Sequence, residues 1–321
     1  KLCPIGLKTL RMKIQSFIVS LPSILSLGSC LLALAFGSLT QTTRAGTPAP
    51  SSKQHTLDQV ANWKDDTLNP VLDPIVFEDA IIRSEIRPVF GFQHMSDDFI
   101  TQGGDIEVYG VQLRWAATDR LAFMLSKGGY NVVKPNAGPE LHGWGDLQVG
   151  AKYALIDDPA NQFIFTGGVL LEMPTGEEEV FQGQGSGIWN VFVASEKGFG
   201  KFHLLGNVGI MAPNDTDANS TQMHYHLQAD YRVCRWFHPF IAANGYTVLK
   251  DGNALPINTE GYDLVNFGSS AASGSTQLTL GGGFRSHLTD WLDFGFGYQK
   301  AAVKPYGLLD DRYTFDFVIR F

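Results

Sequence analysis

The sequence predicts an all-β chain whose strands close into a transmembrane, antiparallel, up-and-down barrel of about twelve strands. Three observations predict it. From Ser84 onward, apolar and polar residues alternate with a period of two. The connections between these runs alternate between short and long. The chain ends on "YTFDFVIRF", in which Tyr313, Phe315, Phe317, Ile319 and Phe321 share one face. In water such an edge would be an aggregation hazard, whereas in a bilayer it is one stave of a closed wall. Only 17% of residues are charged, which is low for a soluble domain and fits a sheet that faces hydrocarbon.

In chain order, residues 1–45 read as a signal peptide with upstream residues. Met12 opens the stretch, Lys13 gives it a positive end, residues 17–37 are apolar, and Thr43 and Ala45 stand at small-residue cleavage positions. Its removal would take away Cys3 and Cys30, leaving Cys234 without a disulfide partner. Residues 46–83 read as an N-terminal periplasmic or lumen segment. There "TPAPSSKQ" is a linker by composition, and the prolines of "LNPVLDPIVFEDAII" forbid a long helix. Residues 84–321 form the barrel.

Strands are expected to start near residues 84, 105, 120, 146, 161, 187, 201, 223, 237, 275, 291 and 312. Each runs about ten residues, enough to cross a bilayer when tilted. In "HYHLQADYRV", Tyr225, Leu227, Ala229, Tyr231 and Val233 face one way, and His224, His226, Gln228, Asp230 and Arg232 the other. "WLDFGFGYQ", "LQVGAKYAL" and "VYGVQLRW" repeat the pattern. Long connections are expected over 94–104, 128–145, 173–186, 212–222, 249–274 and 301–311, separated by short turns such as "AATDR" and "LTDW". An even strand number brings both termini to the side of the tight turns, which in such barrels is the periplasm. The last strand then pairs with "EIRPVFGFQ", where Ile86, Phe90 and Phe92 continue the apolar band.

Three blocks carry a family resemblance. The turn Thr118, Asp119, Arg120, Leu121 sits between two strands. A G-x-G-D-x-x-x-G-x-K-Y block follows as Gly143, Gly145, Asp146, Gly150, Lys152 and Tyr153. A strand then ends in Pro174, Thr175 and Gly176. Over roughly residues 105–212 the chain resembles the outer-membrane barrels of the phenol meta-pathway transporter family. That resemblance implies a barrel in the cell outer membrane and passive uptake of small, aromatic or hydrophobic molecules.

If one face of the wall meets lipid, the other lines a lumen. The lumen-lining candidates are Arg87, Arg114, Asp146, Lys152, His224, His226, Asp230, Arg232, Arg285, Asp293, Asp316 and Arg320. Both signs are present, so these groups either brace the wall as ion pairs or set a transverse field for a permeating solute. Leu205, Phe240, Gly281, Gly283, Gly295 and Gly297 make other parts of the wall apolar or open. His224 and His226, with His203 and His238 nearby, are weighed as a metal cluster, but a polar lumen holds histidines without one. Asp215, Asp217 and Asn219 begin like a calcium loop but lack its Gly and its closing Glu. Glu177, Glu178 and Glu179 form an acidic outer loop that could meet lipopolysaccharide through divalent ions.

The function expected is therefore an outer-membrane channel, not an enzyme, with no cofactor and no resident metal. Its expected partners are membrane lipid and lipopolysaccharide, a small-molecule solute, and the barrel-assembly machinery, which would read Phe321. The alternatives are a structural or adhesion barrel with working loops, and an outer-membrane hydrolase, which would need a Ser/His/acid cluster at the rim. Nucleic acid is excluded as a partner by 24 basic against 32 acidic residues, with five of the basic ones in the leader.

Overall fold

The structure is a computed structural model and describes residues 63–303 and 307–321. The expected signal peptide and most of the linker lie outside the described residues. Fourteen strands make one sheet: β1 (Glu85–Met95), β2 (Gly104–Ala116), β3 (Leu121–Lys127), β4 (Gly129–Pro135), β5 (Leu141–Trp144), β6 (Leu147–Asp158) and β7 (Phe163–Met173), then β8 (Ile188–Phe199), β9 (Phe202–Pro213), β10 (Thr221–Tyr231), β11 (His238–Lys250), β12 (Thr276–His287), β13 (Leu292–Ala301) and β14 (Asp311–Arg320). β1 pairs with both β14 and β2, so the sheet closes on itself. β3 and β4 pair in succession with β2, and β6 and β5 pair with β3 and β4. These four segments are two interrupted staves, and the barrel has twelve.

One expectation needs correcting. Residues 128–145 were expected to form a long loop, yet β4 and β5 extend the hairpin and leave a loop of only 136–140. The physical reason lies in β2, which is 13 residues long. Its first half, Gly104–Gly110, would present unpaired backbone groups without β4 alongside. The other turns are tight where short connections were expected. β8 and β9 join through Gly200 and Lys201, and Gly200 takes φ +71°, a conformation open to glycine.

The outer face is an aromatic and aliphatic belt. Phe294 meets Phe317 at 5.4 Å between ring centroids, Phe296 meets Phe315 at 5.0 Å, and Tyr298 meets Tyr313 at 4.9 Å. Such cross-strand ring pairs contribute roughly 0.5–1.5 kcal/mol each beyond burial. Leu227, Tyr231, Val111, Leu113 and Trp115 are exposed on the same side. The opposite face is buried although strongly polar: Gln112, Arg114, Lys152, Asn190, Asn207 and Gln228 are each at most 3% exposed. In a hollow barrel those side chains would be wet. They are buried because two segments of the same chain fill the lumen.

Candidate functional site

The first segment is residues 63–83, a plug at the end of the barrel where the tight turns lie. It begins with a short 3-10 turn, Trp63–Asp66, and continues as irregular chain that its prolines keep from coiling. Leu68, Val71, Leu72 and Phe77 are fully buried. Because this backbone has no strand partner, its polar groups must be met by side chains of the wall. Thr166 Oγ1 donates to Ala80 O (2.6 Å), Asn207 Nδ2 to Glu78 O (3.0 Å) and Gln112 Nε2 to Pro74 O (2.7 Å).

Charge does the rest. Arg114 reaches Glu78 (2.6 Å), and Lys152 donates to both Asp79 Oδ1 (2.8 Å) and Asp79 O (2.9 Å). Arg83 pairs with Asp79 (3.0 Å) and Glu85 (3.1 Å), while Asn69 Nδ2 donates to Asp79 (3.0 Å) and Glu85 (2.8 Å). Asp316 lies between two guanidiniums. Arg285 donates to it at 2.8 and 2.9 Å, and Arg87 Nε at 2.7 Å. The same two arginines also hold the plug, Arg87 through Pro70 O and Arg285 through Asn69 O (3.1 Å). Burial raises the pKa of Asp79, but Lys152, Arg83 and Arg114 outweigh it and hold the carboxyl below its ordinary value.

The second segment is the loop 251–275, which closes the opposite end. Tyr262, Leu264, Val265 and Phe267 are buried. Phe267 packs on Phe99 (6.0 Å) and Phe181 (5.5 Å), so three neighbouring loops meet on one ring. Inside the loop, Glu260 accepts from the backbone N–H groups of Phe267 and Ser269, both at 2.7 Å. One ion pair ties the loop to the wall, Arg312 with Asp263 (2.9 Å from Nη2), and Arg312 also donates to Gln93 (2.8 Å). The plug and the loop touch. Ile75 and Val76 pack against the loop's apolar cluster, and Tyr246 donates to Asp73 Oδ2 (2.6 Å) with its ring 5.6 Å from Tyr262.

The candidate residues fall into five places. Arg87, Arg114, Lys152, Arg285 and Asp316 converge on the plug. His224 and His226 lie deeper along β10. His226 Nε2 faces His224 Nδ1 (3.2 Å), His224 bonds Asn190 (2.9 Å), His226 bonds Asn244 (3.1 Å), and Phe77 of the plug stacks on His226 at 4.9 Å. Among the described residues no group of three or more His, Cys, Asp or Glu suits a metal ion. Asp230 with His203 (2.8 Å), and Asp293 with His287 (2.6 Å) and Arg320, sit toward the tight turns. Arg232 lies just past β10, half-exposed, and pairs with Asp66. Asp146 stands apart, in the break between β5 and β6, where it accepts from Gly176 N (2.8 Å) and Gly183 N (2.9 Å). Thr175 Oγ1 accepts from Leu147 N (3.0 Å) beside it. The G-x-G-D and P-T-G blocks thus form a clasp that shapes the outer loop over 174–187.

Sequence reasoning missed the plug's own acids, Asp73, Glu78 and Asp79, and the pair Arg312 and Asp263. A signal was present. "DPIVFEDA" interleaves acids with apolar residues, and the inward positions Arg87, Arg114, Lys152 and Arg285 carry an excess of positive charge over the wall acids beside them, Glu85 and Asp316.

No family model matches the chain, and no curated protein matches it by sequence. Its fold is similar to the crystal structure of an outer-membrane channel from Pseudomonas putida F1, with 14% identity and a TM-score of 0.54 over 79% of this chain and all of that one. Weaker likenesses are to the NanC porin (9% identity, TM-score 0.48, 74% of this chain and 100% of that one) and to the translocator domain of the autotransporter NalP from Neisseria meningitidis (11%, 0.39, 85% and 100%). At these identities the first likeness speaks to fold: a closed antiparallel barrel of the outer-membrane kind.

Proposed function

We propose that the chain is a gated outer-membrane channel for the passive uptake of small molecules, aromatic or hydrophobic ones included. The observation that carries this reading is the chemistry of the wall beneath the plug. A permanent stopper is held most stably by apolar contacts, because burying charges is offset only by near-ideal pairing. Here the wall meets the plug with apolar patches around Phe240 and Phe192 but also with Arg87, Arg114, Lys152, Arg285 and Asp316, together with amides and histidines. Once the plug withdraws, that surface is ready for water. The similarity to an outer-membrane channel supports the same reading at the level of fold, and the three motif blocks support kinship with the phenol meta-pathway barrels. Phe321 at the end of β14 would serve recognition by the assembly machinery, and Glu177, Glu178 and Glu179 would meet lipopolysaccharide.

Conductance in planar bilayers tests the proposal. Discrete current steps that grow when residues 63–80 are removed are the expected result, and a barrel that stays silent even without its plug would sink it. A second reading, a structural or adhesion barrel, is favoured by the fully packed lumen and predicts that silence.

A further inference from the structure

The lumen wall carries two patches of glycine, and the plug treats them differently. On β12 and β13, Gly281, Gly295 and Gly297 are covered. A Cβ at Gly281 or Gly297 would lie 2.6 or 2.5 Å from a methyl of Leu72, and one at Gly295 would lie 3.0 Å from Val71. These glycines make a socket that the plug fills. On the first staves, Gly91 and Gly110 also face the lumen, one on β1 and one on β2. A Cβ at Gly91 would meet nothing nearer than Val108 Cβ at 3.5 Å. Here a cavity of ≈ 50 Å³ remains between the wall and Pro74 and Ile75 of the plug, with Leu264 of the outer loop above it.

The lining of this cavity is specific. Its apolar side comes from Ile75, Val89, Val108 and Leu264. Two hydroxyls, Ser126 Oγ and Thr314 Oγ1, belong to lining residues that are each 1% exposed, and neither has a hydrogen-bond partner among the described residues. Buried hydroxyls are seldom left so, and a group in the cavity, water or a polar head, would satisfy both. Both cations at the cavity are already neutralised, Lys127 by Glu172 (2.7 Å) and Arg312 by Asp263, so no uncompensated charge faces it. The cavity touches both seals, and the side chains that narrow it, Ile75 and Leu264, are apolar.

Resting on the channel reading, we propose that solute crosses the sealed lumen along this glycine-floored side, between Ile75 and the β1–β2 wall, and that the passage selects uncharged molecules with an apolar body and one hydrogen-bonding group, received by Ser126 and Thr314. At ≈ 50 Å³ the resting cavity holds water. A larger solute enters this cavity by displacing Ile75 or Leu264, and the Arg114–Glu78 and Arg87–Asp316 pairs on the same staves stand between it and the tight-turn end.

The test uses the full-length protein in planar bilayers, with folding of each variant checked by its heat-dependent migration on gels. Gly91→Leu is expected to lower the conductance about threefold or more, with Gly91→Ala between it and wild type. Ile75→Ala is expected to raise the conductance, and Leu72→Ala, on the filled socket, to raise it less. Benzyl alcohol is the probe for solute class. It is expected to block the current, with a half-blocking concentration about fivefold higher in Ser126→Ala/Thr314→Ala. If wild type conducts but Gly91→Leu is without effect, or Leu72→Ala opens the barrel as far as Ile75→Ala, the path lies elsewhere and only this inference falls. An unchanged half-blocking concentration removes the assigned solute class and leaves water as the hydroxyls' occupant. A silent wild type that conducts once residues 63–80 are removed overturns this inference alone, and a barrel silent both with and without its plug removes the channel reading and this one together.

Discussion

The two seals of the lumen are built on different physics. The plug is irregular chain seated through Leu68, Val71 and Leu72 and held by a buried ionic lattice: Glu78, Asp79 and Glu85 against Arg114, Lys152 and Arg83, with Asp316 between Arg87 and Arg285. The outer loop is a compact apolar fold of its own, stitched by Glu260 to its own backbone and tied to the wall by the Arg312–Asp263 pair. The difference teaches how each can open. An ionic lattice loses its hold when one member is lost, since the partner is left charged and buried. An apolar cluster loosens in proportion to the area removed.

The largest effect that would sharpen this contrast is excision of residues 63–80, expected to raise bilayer conductance by about tenfold or more because the whole ionic lattice becomes a wet wall. Next is Asp316→Asn, which leaves Arg87 and Arg285 facing each other. It is expected to destabilise the barrel by about 3–5 kcal/mol in urea unfolding, and an unchanged midpoint would break the comparison. Asp263→Asn removes the loop's ion pair while Arg312 keeps Gln93. It is expected to cost about 2–3 kcal/mol of loop docking, read as protease cleavage within 251–275 with the plug still protected. Smaller again is Tyr246→Phe, which removes one bond to Asp73 where the seals touch and costs about 1 kcal/mol.

Acidity gives the smallest effect, and its sign differs between the seals. Asp79 has a lowered pKa in the folded protein, so its contribution to plug docking is fully present above 3.8 and is lost as pH falls through the lowered value. Glu260 is pushed up by burial, only partly offset by the N–H groups of Ser269 and Phe267. Its contribution is fully present below 4.5 and is lost as pH rises through the raised value. Asp73, raised by burial and then by Asp263, follows the same sign as Glu260 at the junction. Acid therefore loosens the plug at Asp79, whereas at Asp73 and Glu260 it tightens the junction and the loop. Protease protection of each segment against pH checks this, and Asp79→Asn should flatten the plug's acid limb.

The wall was legible in the sequence because a two-residue period is local. Strand starts expected near 105, 187, 275 and 312 fall within one residue of β2, β8, β12 and β14. Inward residues such as Arg114, Lys152 and Asp316 were readable from alternation alone. What they touch was not. Arg87 and Asp316 are 229 residues apart, and Lys152 is 73 residues from Asp79. Periodicity says which way a side chain points, whereas the partner across a lumen depends on closure and on a plug whose chain has no period. The hidden hairpin of β4 and β5 was missed for a related reason. The breaks at Gly128 and at Gly145–Asp146 interrupt the alternation on both staves.

Asp316 reaches the lumen on β14, the strand that closes the sheet onto β1, and it neutralises arginines from β1 and β12 that grip Pro70 and Asn69. The stopper is therefore fully locked only once β14 has been zipped to β1. A barrel left open at this seam would leave Arg87 and Arg285 as bare guanidiniums, so closure of the wall and shutting of the interior are certified by a single carboxylate.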